Sequence, residues 1–126
     1  MEPADRVCVP ADVLIVEDDS IIALDFEDTI LGLGVTRVRC AGSVATALNL
    51  IAARVPEFAL LDVGLAREKS FAVGEKLAAL KIPFAFVTGY GADKVPPEFA
   101  DYPRLPKPCS SEALLIVLQR IGKRQA

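Results

Sequence analysis

The sequence predicts an α/β fold, one parallel sheet of five strands with helices on both faces. Three observations predict it. Short strand patterns and amphipathic helical patterns alternate five times along 126 residues. Two of the strands, Val13-Leu14-Ile15-Val16 and Phe58-Ala59-Leu60-Leu61, are unbroken apolar runs, as expected of strands buried on both faces. Each run ends in acid, Glu17-Asp18-Asp19 after the first and Asp62 after the second. In an open parallel sheet the carboxyl ends of the strands are where ligands bind.

Residues 1–11 read as an irregular lead broken by Pro3 and Pro10, and one domain is expected over residues 12–124. Asp12 to Val16 is strand one. Ser20 to about Leu33 is a helix, with Ile22, Phe26, Ile30 and Leu33 at helical spacing. Asp18, Asp19 or Ser20 caps its start, and Gly32 and Gly34 end it. Thr36 to Cys40 sets Val38 between Arg37 and Arg39, the alternation of a strand near a sheet edge. Ser43 caps a second helix through Ala53, with Val44, Ala47, Leu48 and Ile51 inward. Phe58 to Asp62 is strand three, and Val63 to Ser70 is a loop.

Phe71 to Leu80 is the third helix, with Val73, Leu77 and Leu80 on one side and Gly74 as a weak spot. Pro83 to Thr88 is strand four. Pro96 and Pro97 argue against a regular helix over 92–101, so a short or irregular, mobile segment is expected there. Arg104 to Pro106 is a brief strand five. Ser110 caps a last helix from Ser111 to about Arg124. Leu114, Val117, Leu118 and Ile121 form its core face. Leu115 and Ile116 point away from that face, which predicts a partner or dimer surface built from the fourth connection, strand five and this helix, within residues 89–124.

Apolar residues make up 52% of the chain, enough for a packed core rather than disorder. The formal net charge of −3 argues against nucleic-acid binding across the surface. No apolar run approaches the ~20 residues that span a membrane, and no signal-peptide core is present. Cys8, Cys40 and Cys109 stand at wide spacings and make no metal or redox motif, which suits reduced thiols in a cytoplasmic protein. The chain has no histidine. Histidine triads, imidazole metal ligands and a phosphohistidine on this chain are excluded.

Set in one sheet, the strands deliver Glu17 and Asp18, then Asp62, Thr88 and Lys107 at their carboxyl ends. Carboxylates that close repel one another. A hard divalent cation with oxygen ligands, Mg2+, removes the conflict. Asp62 is the natural nucleophile toward phosphorus once the ion and Lys107 screen its charge, and Thr88 offers a hydroxyl to a phosphoryl oxygen. Gly89 leaves space beside it.

This ordered set resembles the receiver domain of two-component response regulators over about residues 12–122. The resemblance implies a flavodoxin-like (βα)5 fold with strand order 2-1-3-4-5. It implies that Asp62 is the phosphoacceptor for a sensor histidine kinase or a histidine phosphotransfer protein. Glu17 and Asp18 would be the Mg2+ pair, with the Gly64 backbone carbonyl as a further ligand. Thr88 and Lys107 would sense the phosphoryl group, and a cis peptide would join Lys107 to Pro108. A narrower resemblance, Phe86-Val87-Thr88-Gly89-Tyr90 together with Asp62-Val63-Gly64-Leu65 and Lys69-Ser70-Phe71, is to the FATGUY receivers of alphaproteobacteria, often stand-alone proteins. Ordinary receivers carry Tyr or Phe three residues before the lysine, where this chain has Arg104. Tyr90 is the candidate to supply the aromatic instead.

Rival readings follow from the same residues. A haloacid-dehalogenase-like phosphatase needs its nucleophile and a second acid two residues later directly after strand one, and Glu17-Asp18-Asp19 does not supply that spacing. A flavodoxin-like nucleotide binder needs glycines or hydroxyls after strand one, where this chain has acids. A scaffold that is never phosphorylated would not need the reactive set. A receiver excised from a hybrid histidine kinase is the remaining alternative. With no output domain expected after residue 124, output would be protein–protein binding or phosphoryl relay.

Overall fold

The computed structural model describes residues 9–65, 68–88, 95–107 and 109–125, with side chains through Arg120. Five strands form one parallel sheet: β1 (Asp12–Val16), β2 (Arg37–Ala41), β3 (Phe58–Asp62), β4 (Phe84–Thr88) and β5 (Arg104–Pro106), in the order β2-β1-β3-β4-β5. Between and after them run α1 (Ser20–Gly32), α2 (Val44–Ala53), α3 (Phe71–Ala79) and α4 (Ser111–Gln125). This is the fold and strand order that the sequence implies. No described helix is long and apolar enough to cross a membrane.

The unbroken apolar runs work because both faces of the sheet are covered. Alternate strand residues feed two cores. Val13, Ile15, Phe58, Leu60 and Val87 pack with Phe26 and Ile30 of α1 and Leu114 and Leu118 of α4. Leu14, Val16, Leu61, Phe84 and Phe86 pack with Ala47 and Ile51 of α2 and Val73 and Leu77 of α3.

Local chemistry sets the helix starts. The Asp19 carboxylate accepts from Ile21 and Ile22 N–H, so it is Asp19 among the three candidates that caps α1. Ser43 Oγ accepts from Thr46 N–H at α2, and Ser110 Oγ from Ala113 N–H at α4. Past α1, Gly34 takes φ +112, where a side chain would be strained.

Some expectations change. Strand two is shifted by one residue, to Arg37–Ala41. Leu80 lies beyond the end of α3 and is exposed, because the helix closes before it can turn inward. Gly74 is not merely a weak helix position. It is buried, and a Cβ there would stand 3.3 Å from Phe99 and 3.4 Å from Phe84, so its missing side chain makes room for an aromatic cluster. In place of a fourth regular helix, the described part of the β4–β5 connection holds one 3-10 turn at Pro97–Phe99. Its Phe99 packs against Phe71, Phe84 and Phe86. In α4, Leu114, Val117 and Leu118 are buried, Leu115 is half-buried and Ile116 is exposed. The Ile121 side chain, Gly89, Tyr90 and Pro108 lie outside what is described.

At the amino end of β1, Asp12 is buried between two arginines. Arg39 Nη2 lies 3.2 Å from Oδ1 and Arg54 Nε 3.0 Å from Oδ2.

Candidate functional site

The carboxyl ends of β1, β3, β4 and β5 converge on one acidic hollow. The parallel register places Val16 beside Leu61 and Asp62 beside Val87, so the residues after β1 and at the end of β3 rise side by side. Glu17 is buried. Its N–H donates to Ala41 O at 2.9 Å, which prolongs the β1–β2 ladder and holds the residue at the carboxyl end of the strands. Its Oε2 accepts from Asp19 N–H at 3.1 Å. Asp18 is exposed above it. Carboxylate oxygens of Glu17, Asp18 and Asp62 all lie within 4.8 Å of one another.

Lys107 closes the hollow from β5. Its N–H donates to Thr88 O at 2.8 Å, which ties the end of β5 to the end of β4. Its Nζ donates to Asp62 Oδ2 at 2.8 Å and lies 2.9 Å from Glu17 Oε1. The Glu17 contact is a charge contact without hydrogen-bond alignment, since Oε1 is buried with no aligned donor among the described residues. Burial pulls the Lys107 ammonium down, and the Asp62 hydrogen bond with the negative charges of Asp62 and Glu17 outweighs it and holds the group above its ordinary value. Burial pushes the Glu17 carboxyl up to about 7, Lys107 opposes this, and Asp62 adds to it. Among the described residues, the buried Glu17 and Asp62 share the Lys107 ammonium, and the more enclosed Glu17 resists ionising. The donor set, three carboxylates with oxygens within 4.8 Å of one another, fits a hard divalent cation.

The structure brings together Glu17, Asp18, Asp62 and Lys107 as the sequence expects. Gly64 stands two residues past Asp62, with its N–H donating to Asp62 Oδ1 at 3.2 Å. Thr88 is half-buried at the last position of β4, tied to Lys107 through its carbonyl. Arg104 is exposed on β5.

Sequence reasoning missed two features of the surroundings. The loop after β3 folds back so that Gly64 and Lys69 pair as an antiparallel bridge, and a Cβ on Gly64 would stand 4.0 Å from Lys69 Nζ. On α1, Ile21 and Leu24 are exposed at 78% and 56% and line a concavity of about 480 Å3 together with Asp18, Cys40 and Gly42. Their off-phase position in the α1 pattern was the available signal. A larger concavity of about 760 Å3 lies elsewhere, between Lys81, Tyr102 and Arg120, and Glu17, Asp18 and Asp62 do not border it.

No family model matches the chain, and no curated protein does. Solved structures do match. SdrG from Sphingomonas melonis Fr1 is 37% identical, covering 90% of this chain and 97% of that one, with a TM-score of 0.78. The BeF3-activated conformation of SdrG from Pseudomonas melonis Fr1 is 39% identical, covering 87% and 94%, with a TM-score of 0.75. A CheY-like response regulator receiver domain from Methylobacillus flagellatus is 27% identical, covering 89% and 98%, with a TM-score of 0.77. With this fold, this acidic hollow and these relatives over nearly their whole length, the chain belongs to the response regulator receiver domains.

Proposed function

We propose that this receiver takes a phosphoryl group on Asp62, with Mg2+ bound, from a phosphohistidine on a sensor histidine kinase or a histidine phosphotransfer protein. The observation that carries the reading is the Lys107 ammonium, held between Asp62 and Glu17 at the rim of a three-carboxylate hollow. Glu17, Asp18, Asp62 and the Gly64 carbonyl would hold the ion, whose charge would neutralise the carboxylates and the incoming phosphate. An Asp62 carboxylate oxygen bonds to phosphorus as the donor's P–N bond breaks. The electron pair stays on the imidazole nitrogen, which takes up a proton. Lys107 and the Thr88 hydroxyl then turn to the phosphoryl oxygens. The domain is a signalling protein that modifies itself, and it is not expected to turn over a general phosphate ester.

The modification adds roughly two negative charges. Phe86, two residues before Thr88, stacks edge-on with Phe99 at 5.4 Å between ring centroids. Movement at Thr88 would be felt in the β4–β5 connection through this pair, which offers a route that does not need an aromatic residue at Arg104. Output would be protein–protein binding on the 89–124 face, where Arg104 and Ile116 are exposed, to a downstream partner or a second copy. The Phe86-Val87-Thr88 and Lys69-Ser70-Phe71 stretches support placing the chain in the FATGUY subgroup.

The test is intact-protein mass after incubation with acetyl phosphate and Mg2+. One added phosphoryl group is expected on the wild type, none on Asp62→Asn and none with a metal chelator. An adduct that persists in Asp62→Asn overturns the assignment. So does the absence of any adduct together with no Mg2+-dependent NMR shifts on adding beryllium fluoride.

A further inference from the structure

We propose that Lys69 is a second cation for the phosphoryl group of Asp62, on the side away from Lys107, and that it sets how fast the group loads and how long it lasts. This rests on the phosphoacceptor reading above.

The two Asp62 oxygens are held by different partners. Oδ2 accepts from Lys107, and Oδ1 accepts from the Gly64 N–H. Gly64 therefore borders the carboxylate on the side that Lys107 leaves. It is exposed and lacks a side chain, and the place its Cβ would take is 4.0 Å from Lys69 Nζ. The chain reversal that pairs Gly64 with Lys69 returns the ammonium to within two residues of the nucleophile, although it stands seven residues on in sequence. Glu68 anchors this turn, since its Oε2 accepts from Val44 N–H at 3.0 Å in the first turn of α2. Among the described residues, Lys69 has no ion-pair partner of its own. A lysine stem is long enough to bring its ammonium onto a phosphoryl oxygen across that gap.

The chemistry follows from the position. In loading from acetyl phosphate, an Asp62 oxygen bonds to phosphorus and the donor's P–O bond breaks, its electron pair leaving on acetate. A second nearby cation attracts the anionic donor and offsets its repulsion from the acids. In hydrolysis, a water oxygen attacks phosphorus, the P–O bond to Asp62 breaks, and its electron pair returns to the carboxylate while the water's proton goes to solvent. An ammonium lying across the exposed side of the phosphoryl group keeps water from that approach.

The experiment follows the gain and decay of the mass adduct with acetyl phosphate and Mg2+ in wild type, Lys69→Ala and Lys69→Arg. Lys69→Ala is expected to load about three- to tenfold more slowly and to lose the group about threefold faster, as befits one exposed charge. Its loading rate should depend less on salt than the wild type's, because a screened attraction has been removed. Lys69→Arg should restore loading. Damage to the loop alone would not change the salt slope and would not be rescued by another cation. Equal rates in wild type and Lys69→Ala overturn the inference and leave Asp62 phosphorylation standing. No adduct on the wild type, with no Mg2+-dependent beryllium fluoride response, overturns both.

Discussion

Strand β1 has a buried carboxylate at each end, and the chain treats the two in opposite ways. At the amino end, Asp12 faces the guanidinium groups of Arg39 and Arg54, at 3.2 and 3.0 Å. Arg39 directs its other donors to the carbonyls of Leu50, at 2.9 Å, and Arg54, at 2.7 Å. Each oxygen of the buried Asp12 carboxylate meets a guanidinium donor there, so the buried charge is compensated. At the carboxyl end, Glu17 and Asp62 meet the same ammonium, that of Lys107, with the Asp18 carboxylate beside them. Two buried carboxylates depend on that single group among the described residues, and Glu17 Oε1 has no aligned donor among them. A buried charge is thus no evidence of function by itself. What separates a strut from a site is whether the local charges and hydrogen bonds balance without a further group.

The sharpest way to break this comparison is to remove the acid from the balanced end. Asp12→Ala would leave Arg39, only 15% exposed, without its carboxylate. Removing one partner of a buried ion pair destabilises by about 3–5 kcal/mol, and a loss of that order is expected in urea unfolding. Phosphoryl loading of the folded fraction should be unaffected, since Asp12 lies at the other end of the strand. A loss under about 1 kcal/mol would mean that the cluster behaves as a surface pair, and the contrast would fail.

At the unbalanced end, removing an acid should do the reverse. Glu17 is held up to about 7 from 4.5, by burial first, with Lys107 opposing and Asp62 adding. Between those values the folded metal-free protein binds more protons than the unfolded chain. The stability Glu17 contributes is therefore fully present below 4.5 and is lost as pH rises through about 7. Metal-free wild type should lose stability from about pH 5 to about pH 8, and Glu17→Gln should flatten that decline. At the upper end of the range the variant should unfold at the higher temperature. Added Mg2+ should stabilise the wild type and do less for the variant. Thermal unfolding at several pH values checks all three, and a flat wild-type profile would show that Glu17 is not under charge stress.

Much of the frame was legible in the sequence, for reasons that also mark where legibility stops. Strands β1 and β3 are fully buried, so their apolar runs could mean little else, and the acids that end them placed the hollow. Lys107 was legible because strand β5 is short and Lys107 directly follows it. Arg39 was legible only as a polar residue of an edge strand. Its long side chain reaches back to Asp12, two positions below its pairing partner Leu14, and strand periodicity does not report reach. Gly74 was read from helix propensity, whereas its buried contacts with Phe84 and Phe99 are tertiary. Lys69 depended on the path of a loop, which no periodic pattern encodes. The sequence gives periodic features and chain order well, and it leaves side-chain reach and loop return to the folded structure.

The smallest effect tests the same contrast with a neutral group. Ser70 is fully buried just before α3, and its Oγ has no hydrogen-bond partner among the described residues. Its backbone, at φ −80 and ψ 8, is not in the extended conformation of the Ser43 cap, and its hydroxyl makes no cap bond. A buried hydroxyl left unpaired is unfavourable by about 1–3 kcal/mol, while alanine keeps most of the shape and removes the polar atom. Ser70→Ala is therefore expected to stabilise the metal-free protein, by about 1 kcal/mol or less once the lost packing of the oxygen is counted. Urea unfolding beside the wild type measures it. A gain would mean that the loop joining β3 to α3 tolerates a buried unsatisfied group, as Glu17 does at the end of β1. A loss would mean that the hydroxyl is paired in solution, and the unbalanced region would then be confined to the carboxylates and Lys107.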